Sequence, residues 1–147
     1  MRDLRFVAEH RGGPLTHSQH KALMTWALLC VKHAMEHFAV DPVLNNAMEL
    51  GQFWVDGQAS VGDARDAALA CHALARSIDN PAEQDLARAC GHAVATAHMA
   101  DHSLQAARYA VRAVQTQLGT GASELAWQVT QVSDEIRHLV QSTRPAV

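Results

Sequence analysis

Residues 60–97 read SVGDARDAALACHALARSIDNPAEQDLARACGHAVATA, and this stretch decides the fold class. Ser60 followed by Asp63 is typical of a capping box, in which two residues cap each other at the start of a helix. Asn80-Pro81 gives a second start signal, because the missing N–H of proline costs nothing at the first helical position. Small residues follow at helical spacing, at Ala64, Ala67, Ala68, Cys71 and Ala75 and again at Ala87, Gly91 and Ala95. The pattern predicts two helices, over 60–78 and from Asn80 onward, packed closely as an antiparallel hairpin.

Similar signals on either side of this stretch predict four more helices. Their predicted starts are Thr16 or Ser18, Asp41-Pro42, Asp101 and about Ser123, and their predicted ends are near Phe38, Gly57, Leu118 and Val140. A break near Asp101–Ser103 separates the fourth helix from the fifth, because one uninterrupted helix from Asn80 to Leu118 would be too long for a small domain. The predicted core residues outside residues 60–97 are Leu23, Trp26, Ala27, Cys30, Val31, Ala34, Val43, Ala47, Leu50, Trp54, Leu104, Ala107, Val111, Val114, Leu125, Val129, Val132 and Ile136.

Composition supports the same fold class. The 147 residues include 27 Ala against 15 Ile and Val together, and alanine is the best helix former, whereas β-branched residues favour strands. We predict an all-α, single-domain antiparallel bundle or array of about six helices. Residues 1–15 are expected to form a leader that packs Phe6 and Val7 on the body, residues 16–142 the helical domain, and residues 143–147 a frayed tail.

Charge and cysteine content limit the function classes. The net charge is −3 and no basic stripe occurs, so we expect no nucleic-acid partner. No apolar run approaches the length of a membrane span, and Met1–Phe6 lacks the apolar region of a signal peptide. Cys30, Cys71 and Cys90 are odd in number and lie within apolar helical patterns, which favours reduced core thiols and a cytoplasmic location. The small-residue faces could also serve a homodimer.

Ten histidines are the unusual feature of the composition. His33 and His37 are one helical turn apart, and so are His98 and His102, so each pair could reach one ion. His72 and His92 lie on alanine-rich faces, and Asp101 lies beside the second pair. If these helices pack together, a divalent metal site, with His98 and His102 as its best ligands, or a metal-free polar pocket could form. The alternative is that each histidine is structural, with His72 hydrogen-bonding across two helices.

The residues show no recognisable enzyme active site, so we predict no catalytic residue and no cofactor. The sequence has no P-loop, no Rossmann fingerprint and no Ser-His-Asp elbow, and the Gly119-Thr120-Gly121 turn follows no predicted strand. His33 is not followed by the Glu of the zinc-protease HExxH motif. Cys30 and Cys71 have histidines nearby in sequence, but neither lies at a helix N-terminus, where a thiol pKa falls.

An ordered set of segments resembles a bacterial family of immunity proteins with a type-five-like immunity domain. The segments are Arg5–Leu15 (RFVAEHRGGPL), Leu23-x-x-Trp26-Ala27-x-x-Cys30-x-x-His33, Asp41-Pro42, Val61-Gly62-x-Ala64-Arg65, Ala70-x-His72-Ala73, and Ala89-x-Gly91-His92-Ala93-Val94-Ala95-Thr96-Ala97-His98-x-Ala100-Asp101-His102. The similarity covers roughly residues 5–115 and is most specific over Gly91–His102. It includes His33, His72, His92, His98 and His102 but not His37.

The resemblance implies an all-helical cytoplasmic protein that protects its producer by binding and neutralising a cognate protein toxin. It implies no catalytic residue. The competing hypothesis is a helical small-molecule or metal-binding domain that uses His33, His72, His92, His98, Asp101 and His102. A hydrolase or transferase of unfamiliar type is a third hypothesis.

Overall fold

The structure, a computed structural model, describes residues 3–142. Within these residues it has seven α-helices and no β-strand, which confirms the all-α class. The helices are α1 (His17–Met35), α2 (Pro42–Val55), α3 (Val61–Ser77), α4 (Pro81–Ala95), α5 (His102–Leu118), α6 (Ala122–Thr130) and α7 (Arg137–Gln141). Three short 3₁₀ turns, Leu4–Phe6, Glu9–Arg11 and Asp134–Ile136, lie near the two ends. The antiparallel arrangement stays a prediction, and the predicted frayed tail, 143–147, lies outside the described residues.

Side-chain caps begin the first four helices, as predicted. Thr16, Ser60 and Asn80 each accept a hydrogen bond from the backbone N–H three residues on, at 3.0–3.1 Å. Asp41 accepts one at 2.9 Å from the N–H two residues on. Because each cap pairs an N–H that the helix itself leaves unpaired, the starting residue is set locally. Of the two residues predicted for the first helix, Thr16 is the cap and Ser18 is not.

Helix α4 lies at the centre of the fold. It packs against α1, α2, α3 and α5, and ten of its fifteen residues are buried. A helix that is apolar on nearly all sides is expected to be enclosed by others. Its many alanines allow the neighbouring backbones to approach closely. The closest packing is with α3 and α5.

The N-terminal leader and the C-terminal segment share one part of the core. Phe6 and Leu15 are each 1% exposed and pack with Trp26 of α1 and with Ile136 and Leu139. A second, larger cluster fills the space among α1–α5. No helix within residues 3–142 is both long enough and apolar enough to cross a bilayer.

The single sixth helix predicted over 123–140 is wrong. Helix α6 ends at Thr130, and the chain becomes extended at Ser133 before the last 3₁₀ turn and α7. The predicted stripe placed Leu125 and Val129 in the core, but Leu125 is half-buried and Val129 is 36% exposed. The residues of α6 that are buried are polar, Glu124 and Gln128. The spacing of apolar residues predicted the wrong buried face for this helix, because hydrogen bonds to α1 and α5 decide its orientation.

Smaller corrections concern the end of α4 and the core-facing positions. Helix α4 ends at Ala95, six residues before the predicted break at Asp101. The predicted core residues Val43, Leu50 and Val111 are only half-buried. The inward face of α2 consists of Leu44, Ala47, Met48, Gly51 and Trp54. The face is thus rotated by part of a turn from the one predicted, because α2 contacts α3 and α4 as well as α1.

Candidate functional site

Four of the predicted histidines converge where α3, α4 and α5 meet. His72 is on α3, His92 is near the end of α4, His98 is in the connection, and His102 is the first residue of α5. The ring centroids of neighbouring pairs lie 5.0–5.4 Å apart, in the order His72, His92, His102, His98. We call these four residues the histidine cluster.

Local sequence explains how the cluster forms. Helix α4 ends with Thr96 as its C-cap, so the chain turns back within six residues and brings His102 beside His92. Gly91 provides the room for His72, since a Cβ there would lie 2.7 Å from two atoms of that ring. The His72 ring therefore packs against α4 at Gly91. It contacts His92 edge to face, and within residues 3–142 it makes no hydrogen bond of the kind predicted for it.

The centre of the cluster is a hydrogen bond between two imidazoles. The Nδ1 atoms of His92 and His102 are 2.8 Å apart. One Nδ1–H must donate and the other Nδ1 must accept, so the two rings hold different tautomers or share one proton. The Nε2 atoms of the two rings take no part in this hydrogen bond. They can therefore bind a proton or a ligand while the two Nδ1 atoms stay hydrogen-bonded to each other.

Tyr109 and Arg112 extend the cluster along α5. The Tyr109 ring stacks on His92 with centroids 5.3 Å apart and planes 5° from parallel. The guanidinium carbon of Arg112 lies 5.3 Å from the centre of the Tyr109 ring. The Nε atom of Arg112 lies 3.7 Å from a carboxylate oxygen of Asp85. The sequence offered one signal for Tyr109: it follows His102 by seven residues, which is two turns on the same helical face.

The cluster is electrostatically tuned toward neutral imidazoles. Burial, then the neighbouring His102 and His72, lowers the pKa of His92 to about 4. Burial and the charge of His102 also lower the pKa values of His72 and His98. Burying a charged imidazole and placing two together both disfavour the protonated form. At neutral pH the rings of His72, His92 and His98 are therefore hydrogen-bonding groups and potential ligands rather than cations.

His98 has an unpaired buried atom. Its Nδ1 has no hydrogen-bond partner within the described residues. A buried polar atom without a partner is costly, so the atom is suited to a ligand. Within residues 3–142, however, no three His, Cys, Asp or Glu side chains are arranged to hold a metal ion. The rings of His98 and His102 lie 5.4 Å apart, and a metal site with these two residues as its ligands stays a prediction.

The other two predicted site residues lie at the edge of the cluster or far from it. Asp101 is the N-cap residue of α5, but its side chain makes no capping hydrogen bond, and its charge favours protonation of His98. His33 lies on α1, where its Nδ1 is 2.8 Å from a carboxylate oxygen of Glu124. Its ring stacks on Trp127, with centroids 3.6 Å apart. His33 therefore joins α1 to α6 and does not belong to the cluster.

A further histidine was not singled out by the sequence. His20 is 3% exposed, its Nε2 is 2.6 Å from the carbonyl oxygen of Thr96, and its ring packs on Trp54. It lies in the first turns of α1, with no pattern that would separate it from the exposed His17. It holds α1 against the end of α4, directly beside the connection that carries His98.

The cysteines are not arranged for nucleophilic chemistry. Cys30, Cys71 and Cys90 are all buried, and no disulfide joins them. Burial raises the pKa of Cys71 to about 12 and also raises that of Cys90 well above its ordinary value. The nucleophile in cysteine chemistry is the thiolate, so these two thiols are inert at neutral pH.

The comparisons with known proteins identify a family. Residues 13–135 match the family model described as "Imm-5 like putative immunity protein". The match begins after most of the leader and extends through α6, beyond residue 115, where the resemblance in the sequence was expected to end. No curated protein and no solved structure was found to match the chain. Since the family model covers most of the sequence, the chain belongs to the Imm-5 like immunity protein family.

Proposed function

We propose that this protein is an immunity protein that acts in the cytoplasm of its producer, where it binds a cognate protein toxin and neutralises it by forming a stoichiometric complex. The observation that carries the proposal is the family match over residues 13–135. The chemistry of the described residues agrees with binding rather than turnover. The Cys71 thiol, with its pKa raised by burial to about 12, is no nucleophile, and the imidazoles of His92 and His102 are hydrogen-bonded to each other.

The test is capture followed by a functional assay. The purified full chain is used as bait in a lysate of its source organism, and bound proteins are identified by mass spectrometry. We expect one dominant partner that arrests growth when expressed alone in a laboratory strain and forms an equimolar complex with this protein. If no captured protein is toxic, or if the toxic one is not neutralised by co-expression, the proposal is wrong.

A second candidate function is favoured by the unpaired Nδ1 of His98. In this alternative the histidine cluster binds a small molecule or a divalent metal. The probe is Zn²⁺ alone, followed by NMR of the histidine ring protons. If the alternative holds, the ring resonances of His92, which adjoins His102, shift at equimolar Zn²⁺, and His98→Ala with His102→Ala abolishes that shift. His138→Ala, on the exposed face of α7, is the matched control. If the wild type and the double variant respond alike, the metal-binding alternative fails.

A further inference from the structure

One segment of this chain contains carboxylates but no basic side chain. Residues 33–64 contain five Asp and Glu and no Lys or Arg. The five are Glu36, Asp41, Glu49, Asp56 and Asp63. The rest of the chain has twelve basic and ten acidic side chains, so its charge has the opposite sign. The segment that is acidic comprises the end of α1, all of α2 and the start of α3.

An apolar groove lies within this acidic segment. It runs between the last turn of α1 and α2 and has a volume of about 570 Å³. Its floor and walls include Met35, Val40, Met48 and Phe53. The Phe53 side chain is 42% exposed, although Met35 and Met48 beneath it are buried. The exposed ring of Phe53 and the half-buried Val40, which also lines the groove, are the apolar groups that a partner can contact, and an exposed aromatic ring can serve as its anchor.

Two carboxylates of the groove are unpaired. Asp41, Asp56 and Asp63 accept hydrogen bonds from their own helix ends or, for Asp56, from Gln52. Glu36 and Glu49 both line the groove, and within residues 3–142 neither makes a hydrogen bond or an ion pair. Lys32, the one cation on the rim, is not within ion-pair distance of either.

We propose that this groove is the surface that binds the toxin, and that its occupant is a cationic amphipathic segment of the toxin. The proposal rests on the proposed function. An apolar stripe of the segment would cover Val40 and Phe53, and its Lys or Arg side chains would pair with Glu36 and Glu49. Charge complementarity of this kind steers association and selects partners, while apolar anchors supply most of the affinity.

The charge distribution argues against a second copy of this chain as the occupant. A two-fold symmetric dimer would place the same surface on both sides of the interface. Glu36 and Glu49 of one copy would then face those of the other, and like charges across an interface are repulsive. A basic partner would not be repelled and could form ion pairs with both carboxylates.

The first experiment locates the toxin on the surface with matched variants. Phe53→Ala removes the exposed aromatic anchor, and Leu69→Ala, on the outer face of α3 and 61% exposed, is its control. Glu36→Gln with Glu49→Gln removes two groove charges, and Asp66→Asn with Asp79→Asn makes the same charge change elsewhere. All four variants alter exposed side chains, so circular dichroism melts are expected to match that of the wild type within a few degrees.

The expected result is a loss of affinity confined to the groove. Phe53→Ala should weaken toxin binding by at least about tenfold, and the paired Glu→Gln variant should slow association and reduce its dependence on salt. The control variants should bind like the wild type. If the groove variants also bind like the wild type while the toxin is still neutralised, the groove proposal is overturned and the proposed function stands.

A synthetic probe tests the groove when no toxin is captured. The probe is an amphipathic peptide of Leu and Lys about fourteen residues long, which makes roughly four helical turns. Its counterpart has Glu in place of Lys. On titration into the full-length ¹⁵N-labelled protein, the Lys peptide should shift resonances of α1 and α2 and lose affinity with Phe53→Ala. If the Lys peptide shifts no resonances there, or if the Glu peptide binds equally, the proposal fails independently of the toxin.

Discussion

His33 and Glu124 form a contact that bridges α1 and α6. The Glu124 side chain is only 4% exposed, and its carboxylate lies 2.8 Å from Nδ1 of His33, whose ring also stacks on Trp127. A buried carboxylate that loses its partner retains the full cost of its desolvation. The role of His33 is therefore to hold two helices together rather than to face a ligand.

Replacing His33 with alanine tests this structural role. We expect His33→Ala to lower the free energy of unfolding by about 1–3 kcal/mol, because Glu124 stays buried without its partner. His37→Ala, one turn later and exposed, is the control and should change stability by less than about 0.5 kcal/mol. Urea unfolding followed by circular dichroism measures both. Equal effects of the two variants would show that the His33–Glu124 contact contributes nothing.

The histidine cluster predicts a loss of stability in acid. The folded pKa of His92 is about 4, whereas an unfolded histidine titrates near about 6.5. Between these values the unfolded chain binds more protons, so stability is complete above about pH 6.5 and falls as the pH drops toward about 4. The lowered pKa values of His72, His98 and His20 act in the same direction.

Urea unfolding at about pH 7.5 and about pH 4.5 measures this dependence. His92→Asn should reduce the loss of stability between the two conditions by roughly 1 kcal/mol, allowing for the partial exposure of the ring to solvent. His138→Asn is the control, since this side chain is exposed and outside the cluster. If His92→Asn lost as much stability between the two pH values as the wild type, the lowered pKa of His92 would not be the cause.

Gly91 and His72 should be energetically coupled. Alanine in a helix is favoured over glycine by about 1 kcal/mol, but a Cβ at position 91 would meet the His72 ring at 2.7 Å. We expect Gly91→Ala to stabilise the protein by about 1 kcal/mol in a His72→Ala background and to destabilise it or have no effect in the wild type. A double-mutant cycle by urea unfolding measures the difference. An identical effect in both backgrounds would mean that His72 does not occupy this space.

At the scale of helices, α4 depends on the cap at its start. Asn80 Oδ1 accepts a hydrogen bond from the Glu83 N–H at 3.0 Å. We expect Asn80→Ala to lower the free energy of unfolding by about 1 kcal/mol and Asn80→Asp to leave it nearly unchanged, because Asp caps equally well. Asn46→Ala, in the exposed middle of α2, is the control and should be neutral or slightly stabilising. Thermal melts of the three variants decide whether the cap contributes as expected.

Helix starts were predictable because their signals are local. Thr16, Asp41, Ser60 and Asn80 each act on an N–H two or three residues away, so no knowledge of the fold is needed. The extent of α6 was not predictable, because it depends on distant residues. Gln128 of α6 donates to a carbonyl oxygen of α5 at 2.9 Å and accepts from Trp26 of α1, which buries a polar face where the sequence showed an apolar one.

The candidate site was predictable only in part, for a similar reason. His98 and His102 are near in sequence, and the turn between α4 and α5 brings His92 to them, so three members of the cluster follow from local structure. His72 joins through packing at Gly91, which the sequence shows as a small residue without showing what fills the space. Nothing in the sequence separated His33, which is bound to a residue of α6, from the histidines of the cluster.

At the scale of the whole molecule, two regions differ in character. The histidine cluster joins α3, α4 and α5 around one hydrogen bond, between His92 and His102. The acidic groove along α2 has an exposed aromatic ring and, within residues 3–142, two carboxylates without a partner. A binding protein needs a rigid scaffold and a surface whose polar and apolar groups are available to a partner. We assign the scaffold to the helices around α4 and the binding surface to the groove.

The central claim is that this member of the Imm-5 like family protects by stoichiometric binding. The most direct measurement titrates the captured toxin with purified protein and records residual toxin activity at each molar ratio. The account predicts a linear loss of activity that reaches zero at one equivalent, with toxin recovered intact after the complex is unfolded. Complete inactivation by a small fraction of an equivalent, or recovery of a chemically altered toxin, would show that the protein acts as an enzyme and would contradict the account.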